Sequence, residues 1–510
     1  MSPRIDLSKD LSYRDVYRYS VNEKVSFYID DKKINELREI REKFLRYIES
    51  GGVCYGVSTG LGAQLTKKVS SPEQYYHIKI LMQHAAGVGD FLPREVVRGA
   101  MIILARQLSL GYSAVDPYVI ELLVEMLNKN IIPLVPRYGS LGASGDLAPM
   151  SYIGLSLYGK GLVEDENGRR GYAEEIMREH GIEPLRPKPK DFLSIINNTA
   201  MSASVASHAT YKADKLLISL IITSSISIEA MATPKQHFSQ KITGLKRYES
   251  LKIISRILDM ILEDSSVENK DIIQDRYSFR TIPQILGGFY EGLIHVRDLV
   301  DREINSSSDN PVFVDGECVS GGNFYGVYIA NAMDYLAHLV VQPLIQVDRR
   351  VFTILDPNLN RGLPPFLTEK EDVGLMIAQY TISSLLNRIS LLVYPSTIFT
   401  TPTSASQEDH VSNSYNAALK TLEIMDLAMD IAAIEYVVSS YALLKRPWFD
   451  KTSSMVKRFV KELEPVFNKM FEEKTLGELF ALSKKILDGL SDELLKLFEE
   501  KKIFYKNNNF

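Results

Sequence analysis

Residues 202–231 have the length and the small, apolar composition of a helix buried on every side, so the chain must build a large core around them. Their most apolar part, 216–231, is interrupted by serines, threonines and Glu229, which suits a core helix better than a membrane span. Residues 328–355 read as another long helix, closed by Asp356-Pro357, and 416–443 as a third. Helical spacing recurs over 32–49, 75–84, 93–109 and 115–130. Gly51-Gly52 stops the first of these, and Pro133 and Pro136 end the last. Strand-like alternation is scarce, which predicts a mainly α protein.

For 510 residues, length alone suggests two to four domains. We divide the chain into an N-terminal lobe at 1–195, a central long-helix core at 196–450 and a charged, helical outer layer at 451–510. That layer ends in Asn507-Asn508-Asn509, which reads as frayed. The polar stretch 164–171 reads as a loop, and 402–412, rich in Ser, Thr and acids, as a helix N-terminus.

A formal net charge of -5 argues against general nucleic-acid binding. Two cysteines, Cys54 and Cys318, cannot form a disulfide framework and fit a reduced, cytoplasmic setting. The histidines are scattered, no Cys-x-x-Cys or His-Glu-x-x-His occurs, and no metal site is expected. The N-terminus is polar and lacks an apolar signal core, and no membrane partner is expected.

The most reactive stretch is Gly139-Ser-Leu-Gly-Ala-Ser-Gly-Asp-Leu-Ala-Pro-Met150. Gly142 and Gly145 let the backbone fold tightly through Ala143-Ser144-Gly145. The Gly145 amide nitrogen can then attack the Ala143 carbonyl, and loss of water leaves a five-membered ring. If Ser144 also loses its hydroxyl, its Cβ becomes an exocyclic methylene, an electrophile made from the chain. Asp146 follows directly, where a carboxylate can assist cyclisation. A bare Ala-Ser-Gly is an ordinary surface turn, so the longer context decides.

That context resembles the signature of the aromatic amino acid lyase family, whose members make a methylidene-imidazolone (MIO) group from Ala-Ser-Gly. Further motifs resemble the same family. Tyr55-Gly-Val-Ser-Thr-Gly-Leu-Gly62 is a glycine-rich loop without the Gly-Lys-Ser/Thr of a phosphate cradle, and it suits a lid. In the family its tyrosine, here Tyr55, is the acid-base residue. Asn197, within 191–200, matches the asparagine that holds the oxygen of the prosthetic group. Asn198 replaces the usual glycine, a change that a left-handed backbone would accommodate. Gln274-Asp-Arg-Tyr-Ser-Phe-Arg-Thr-Ile-Pro-Gln284 matches almost residue for residue. The resemblance makes Arg280 the clamp for a substrate carboxylate, with Tyr277 and Gln274 in the same pocket. Asn305-Ser-Ser-Ser-Asp-Asn-Pro311, Ser320-Gly-Gly-Asn-Phe324 and Gly362-Leu-Pro-Pro-Phe366 are further shared elements, with Phe324 packing on the prosthetic group and substrate.

Three places bear on the substrate. Gln83-His84 falls at the family's substrate-selecting pair, where His84 fits the histidine-specific type and Gln83 fits none. In Pro402-Thr-Ser-Ala-Ser-Gln-Glu-Asp-His-Val-Ser412, Glu408 falls where the phenylalanine and tyrosine enzymes carry glutamine, and Ser406 departs from the usual asparagine. Phe324-Tyr325-Gly326 points the other way, toward the phenylalanine and tyrosine enzymes.

The resemblance, from about residue 50 to 450, implies antiparallel helix bundles of the fumarase/aspartase-like type with a loop-rich N-terminal lobe carrying the MIO. It also implies a homotetramer with shared active sites and elimination of ammonia from a small-molecule L-α-amino acid. Ala143-Ser144-Gly145 would form the electrophile and Tyr55 would take the β-proton, with helix N-termini lowering the pKa. His84 with Glu408 favours L-histidine, giving trans-urocanate. The alternatives are a phenylalanine or tyrosine ammonia-lyase or an aromatic 2,3-aminomutase, and more remotely a non-catalytic helical scaffold.

Overall fold

The computed structural model describes residues 3–61, 76–369, 371–467, 474–501 and 503. Gly62 of the tyrosine loop, Tyr75 and the Asn507–Asn509 end lie outside the described residues. The protein is mainly helical, as its patterning predicts, with a few strands of two to four residues. It divides into two compact units, each built from separate pieces of chain. The first comprises Met1–Tyr211, Val296–Asp334 and Pro395–Lys420, and the second Lys212–His295, Tyr335–Tyr394 and Thr421–Phe510.

In the first unit, the helix Asp31–Glu49 shows how local sequence sets an element. Asp30 caps it by accepting the Lys32 N–H, and Ile34, Leu37, Arg41 and Phe44 form its buried face. Phe44 packs with Cys54, Ala114 and Phe313, its ring meeting Phe313 edge-on at 5.6 Å between centroids. This cluster anchors the tyrosine loop at Cys54, and Phe44→Ala would remove about 3–5 kcal/mol from it.

Three helices converge where the site is built: Tyr76–His84 packs on Leu147–Leu157, and both pack on Asp191–Ile196. Gly154 permits the approach, since a Cβ there would stand 3.1 Å from Leu81 and 3.2 Å from Ile195. Residues 164–171 are more ordered than a loop. Leu162–Glu164 pairs antiparallel with Arg170–Tyr172, and Ile132–Pro133 adds a third strand. The turn between them is closed by Asp165, whose carboxylate accepts the Asn167 and Arg169 N–H groups.

The buried helix expected at 202–231 is Ala200–Ala230, with alanines, serines and isoleucines at zero exposure along its length. The stretch 328–355 is not one helix but two, Val327–Leu339 and Val341–Leu355. Pro343 is the cause: it offers no N–H to the Leu339 carbonyl, and its ring crowds that oxygen. Ser414–Leu444 is, among the described residues, the helix long and apolar enough to cross a membrane, but 78% of its apolar window is buried inside the protein.

In the second unit, Arg350 and Glu435 form a fully buried two-pronged ion pair, Nε–Oε1 2.5 Å and Nη2–Oε2 2.9 Å. Thr223 and Ser227 donate to the same carboxylate, so its lone pairs are filled. Removing one partner would leave a buried charge, a loss of about 3–5 kcal/mol. Ser454–Phe467 and Leu476–Glu500 keep one face buried, the latter opening with a Thr475–Glu478 capping box.

Candidate active site

The turn at 139–146 is pressed against the backbone at Asn198. Gly145 has φ +69°, and a Cβ there would lie 2.8 Å from both Asn198 N and C, so only glycine fits. The Asp146 N–H donates to the Asn198 carbonyl at 2.8 Å, and Asn413 N–H to the Leu141 carbonyl at 2.8 Å. Ser412 Oγ donates to the Gly142 carbonyl at 2.9 Å. Ala143 and Gly145 pair across the turn in an isolated bridge, which brings together the two residues whose atoms would close a ring. Asn197, at the end of Asp191–Ile196, donates its amide to the Ser144 carbonyl at 2.6 Å.

Three helices begin at this turn: Leu147–Leu157 directly after it, Ala200–Ala230 beyond Asn198, and Ser414–Leu444 against Gly142. Their N-terminal N–H groups give the turn a positive field. Asn198 does not take the left-handed backbone expected of a glycine replacement. It caps the Ala200 helix instead, accepting the Ala200 N–H at 3.0 Å and returning its amide to the Ser194 and Ile195 carbonyls. Asp146 is fully buried, and desolvation pushes its carboxyl up to about 6 against the opposing hydrogen bonds from Ser202 and Ser140. Its oxygens accept the Ser202 N–H at 2.7 Å and hydroxyl at 2.6 Å, which ties the turn to the Ala200 helix.

Glu408 reaches the turn from the far end of the chain. Its Oε1 accepts from Ser144 Oγ at 2.5 Å and its Oε2 from Thr403 Oγ1 at 2.7 Å. The segment 402–412 is therefore not a helix N-terminus; the helix starts at Ser414. Ser404, Ala405 and Ser406 carry φ of +52°, +52° and +65°, folding the chain back so that Thr403 and Glu408 pair.

A cavity of about 630 Å³ opens over Ser144, lined also by Tyr55, His84, Asn197, Phe324 and Glu408. Tyr55 sits on a turn folded by its own side chains, with Cys54 N–H donating to Ser58 Oγ at 2.9 Å and Gly56 N–H to Thr59 Oγ1 at 3.1 Å. His84 Nδ1 donates to the Ile80 carbonyl at 2.8 Å, since a carbonyl can only accept. In the neutral ring, Nε2 is then an acceptor. Gln83 is exposed and does not line the cavity. Tyr325 also points elsewhere, its hydroxyl hydrogen-bonding His410 Nδ1.

The remaining predicted residues belong to the second unit. Gln274 is exposed, and the short helix Tyr277–Arg280 follows it, with the Arg280 guanidinium 4.7 Å over the Tyr277 ring. Asp275, buried between them, accepts from Thr233 Oγ1 and Arg361 Nη2, both at 2.7 Å. Sequence reasoning missed Ser404 and Gln407, which line the cavity, and Thr403. Their composition is that of any helix-capping segment, and the left-handed turn that places them has no glycine to announce it.

A model of the aromatic amino acid lyase family matches residues 11–465. Over 441 residues the chain is 38% identical to a protein named probable histidine ammonia-lyase from Thermoplasma volcanium, covering 85% of this chain and 88% of that one. Among solved structures, histidine ammonia-lyase from Trypanosoma cruzi superposes with a TM-score of 0.90 at 25% identity, covering 100% and 99% of the two chains. Tyrosine aminomutase from Streptomyces globisporus does so with a TM-score of 0.90 at 26% identity, covering 98% and 99%.

Proposed function

The chain belongs to the aromatic amino acid lyase family, and from that premise we propose that it is an ammonia-lyase converting L-histidine to trans-urocanate. The observation that carries the substrate is Glu408, hydrogen-bonded to Ser144 on a cavity that His84 also lines. The Glu408 carboxylate can accept from a substrate ring N–H, and His84 Nε2 offers a second acceptor. After maturation a phenyl ring would leave Oε1 of Glu408 desolvated and unpaired.

Family members carry MIO, and in our reading Ala143-Ser144-Gly145 forms it here. The residues fit: the pairing of Ala143 with Gly145, the close approach to Asn198 and the Asn197 amide on the Ser144 oxygen are what a ring at this place needs. The group supplies an electrophilic carbon that captures the amino group and makes ammonia a better leaving group. Asn197 holds the oxygen of residue 144. Tyr55 takes the β-proton on its phenolic oxygen, assisted by the field of three helix N-termini. Tyr277 and Gln274 complete the substrate pocket, and Arg280 fixes the carboxylate through a planar two-point contact. Phe324 packs against the substrate ring. Gln83, assigned to the substrate-selecting pair, does not line the cavity. We further propose a cytoplasmic homotetramer whose sites draw on more than one copy.

A second reading, a tyrosine-directed lyase or aminomutase, is favoured by one observation: His84 Nε2 as an acceptor would also take a phenol O–H. Assaying the purified protein on histidine, phenylalanine and tyrosine side by side decides between them. Histidine should be preferred, and Glu408→Gln should lower kcat/KM for histidine by about 1.5–3 kcal/mol more than for phenylalanine. A wild type that prefers phenylalanine or tyrosine overturns the histidine assignment.

A further inference from the structure

We infer that Thr403 is the positioning residue for the Glu408 carboxylate, holding one oxygen so that the other alone faces the substrate. The inference deepens the proposed function and rests on its assignment of Glu408 to the substrate.

A glutamate on a loop has three rotatable bonds, and ordering it costs rotamer freedom. Something must therefore fix the carboxylate if it is to read a substrate ring. Among the described residues, its hydrogen bonds come from Ser144 Oγ to Oε1 at 2.5 Å and from Thr403 Oγ1 to Oε2 at 2.7 Å. In the proposed maturation Ser144 gives up its hydroxyl. The bond to Oε1 goes with it, and the Thr403 bond remains. Oε1 is then the open acceptor, already oriented toward residue 144.

The backbone is built around this contact. Thr403 N–H donates to the Glu408 carbonyl at 2.8 Å and Glu408 N–H to the Thr403 carbonyl at 3.3 Å, closing the loop into a staple. Closing it needs positive φ at Ser404, Ala405 and Ser406, a strained backbone for a residue with a side chain. Strain of that kind persists only where the surroundings over-determine it. Thr403 stands at the N-cap of the 3₁₀ turn Ser404–Ser406, yet makes no side-chain capping bond there; its hydroxyl proton goes to Glu408. Helix capping therefore does not account for it.

The test is a double-mutant cycle on the full-length protein, read by kcat and KM for histidine, with intact mass and thermal melting for every variant. Thr403→Val keeps the shape and removes the hydroxyl; it should lower kcat/KM by about 10- to 100-fold while retaining the mass loss of two waters. Thr403→Ser should restore activity to within about threefold, because it restores the donor. In a Glu408→Ala background, Thr403→Val should change nothing further, because no carboxylate is left to hold. Equal losses from Thr403→Val with and without Glu408, or wild-type activity in Thr403→Val, overturn the inference. Wild-type turnover separates the two levels. A protein active on tyrosine instead of histidine fails the substrate reading, and the cycle is then run on tyrosine. A wild type inactive on all three substrates removes the reading and this inference together.

Discussion

The turn at 139–146 and the short helix Tyr277–Arg280 both carry the side chains assigned to chemistry, but they are held in opposite ways. In the turn the reactive groups are bonded to one another: Ser144 to Glu408, Asn197 to the Ser144 carbonyl, Asp146 to Ser202. In the helix the base is fixed and the tips are open. Asp275 is gripped by Thr233 and Arg361, Arg350 donates to the Ser278 carbonyl at 3.3 Å, and Gln346 to Thr281 Oγ1 at 3.2 Å. Tyr277, by contrast, is 71% exposed. The first arrangement suits chemistry on the chain itself, which needs preorganised donors and no room for error. The second suits presentation of groups to something arriving from outside, for which a rigid base and free tips are enough.

Substitutions should sort accordingly. Ser144→Ala removes the atom that becomes the methylene; kcat should fall by at least about three orders of magnitude, with the helical circular dichroism unchanged and no loss of two waters by mass. Near-wild-type turnover in that variant would end the mechanism. Arg280→Lys keeps the charge and loses the planar fork. It should lower kcat/KM by about 2 kcal/mol, mainly through KM, and leave the mass of the matured chain intact. If Arg280→Lys instead blocked maturation, the helix would belong with the turn and the contrast between them would collapse.

A third expectation concerns stability. Burial raises the Asp146 carboxyl to about 6, above its ordinary 3.8. Between those values the folded chain holds a proton that the unfolded chain has lost, so stability should fall as pH rises from about 4 to about 6. The contribution of this one group is about 2–3 kcal/mol. Asp191 and Asp301, each raised to about 6 mainly by burial, add slopes of the same sign. Denaturant melts of Asp146→Asn over this range should show a shallower decline than the wild type, and an identical slope would mean that Asp146 stays charged. The smallest effect is expected at Gln83. Its side chain is exposed and off the cavity, so Gln83→Ala should leave kcat/KM within about twofold.

These contrasts also explain which features were legible in advance. The helix at Asp31–Glu49 and the buried one at Ala200–Ala230 follow from local caps, spacing and side-chain size, and they lie within a residue or two of where they were expected. The break at Val340 was legible too, because Pro343 stands in the run; the apolar pattern on either side obscured it. Gln83 and His84 are neighbours on a helix, about 100° apart around its axis; His84 lines the cavity while Gln83 is turned to the surface. The turn at 403–408 is different in kind. Its composition is that of a helix start, and the carboxylate it positions is bonded to Ser144, 264 residues away. No local pattern carries that information. The motif identified Glu408, but only the fold revealed the oxygen it shares with Ser144.

That shared oxygen has a consequence for anyone counting sites. As long as Ser144 keeps its hydroxyl, Oε1 of Glu408 is occupied by a group the chain cannot release. On the proposed reading, a copy that has not matured thus carries its own occluding ligand, covalently tethered and therefore at high effective concentration. In a preparation of mixed maturation, titration with a substrate analogue would return fewer sites than chains. The shortfall would equal the fraction of chains still heavier by two waters, and the affinity of the remaining sites would be unchanged.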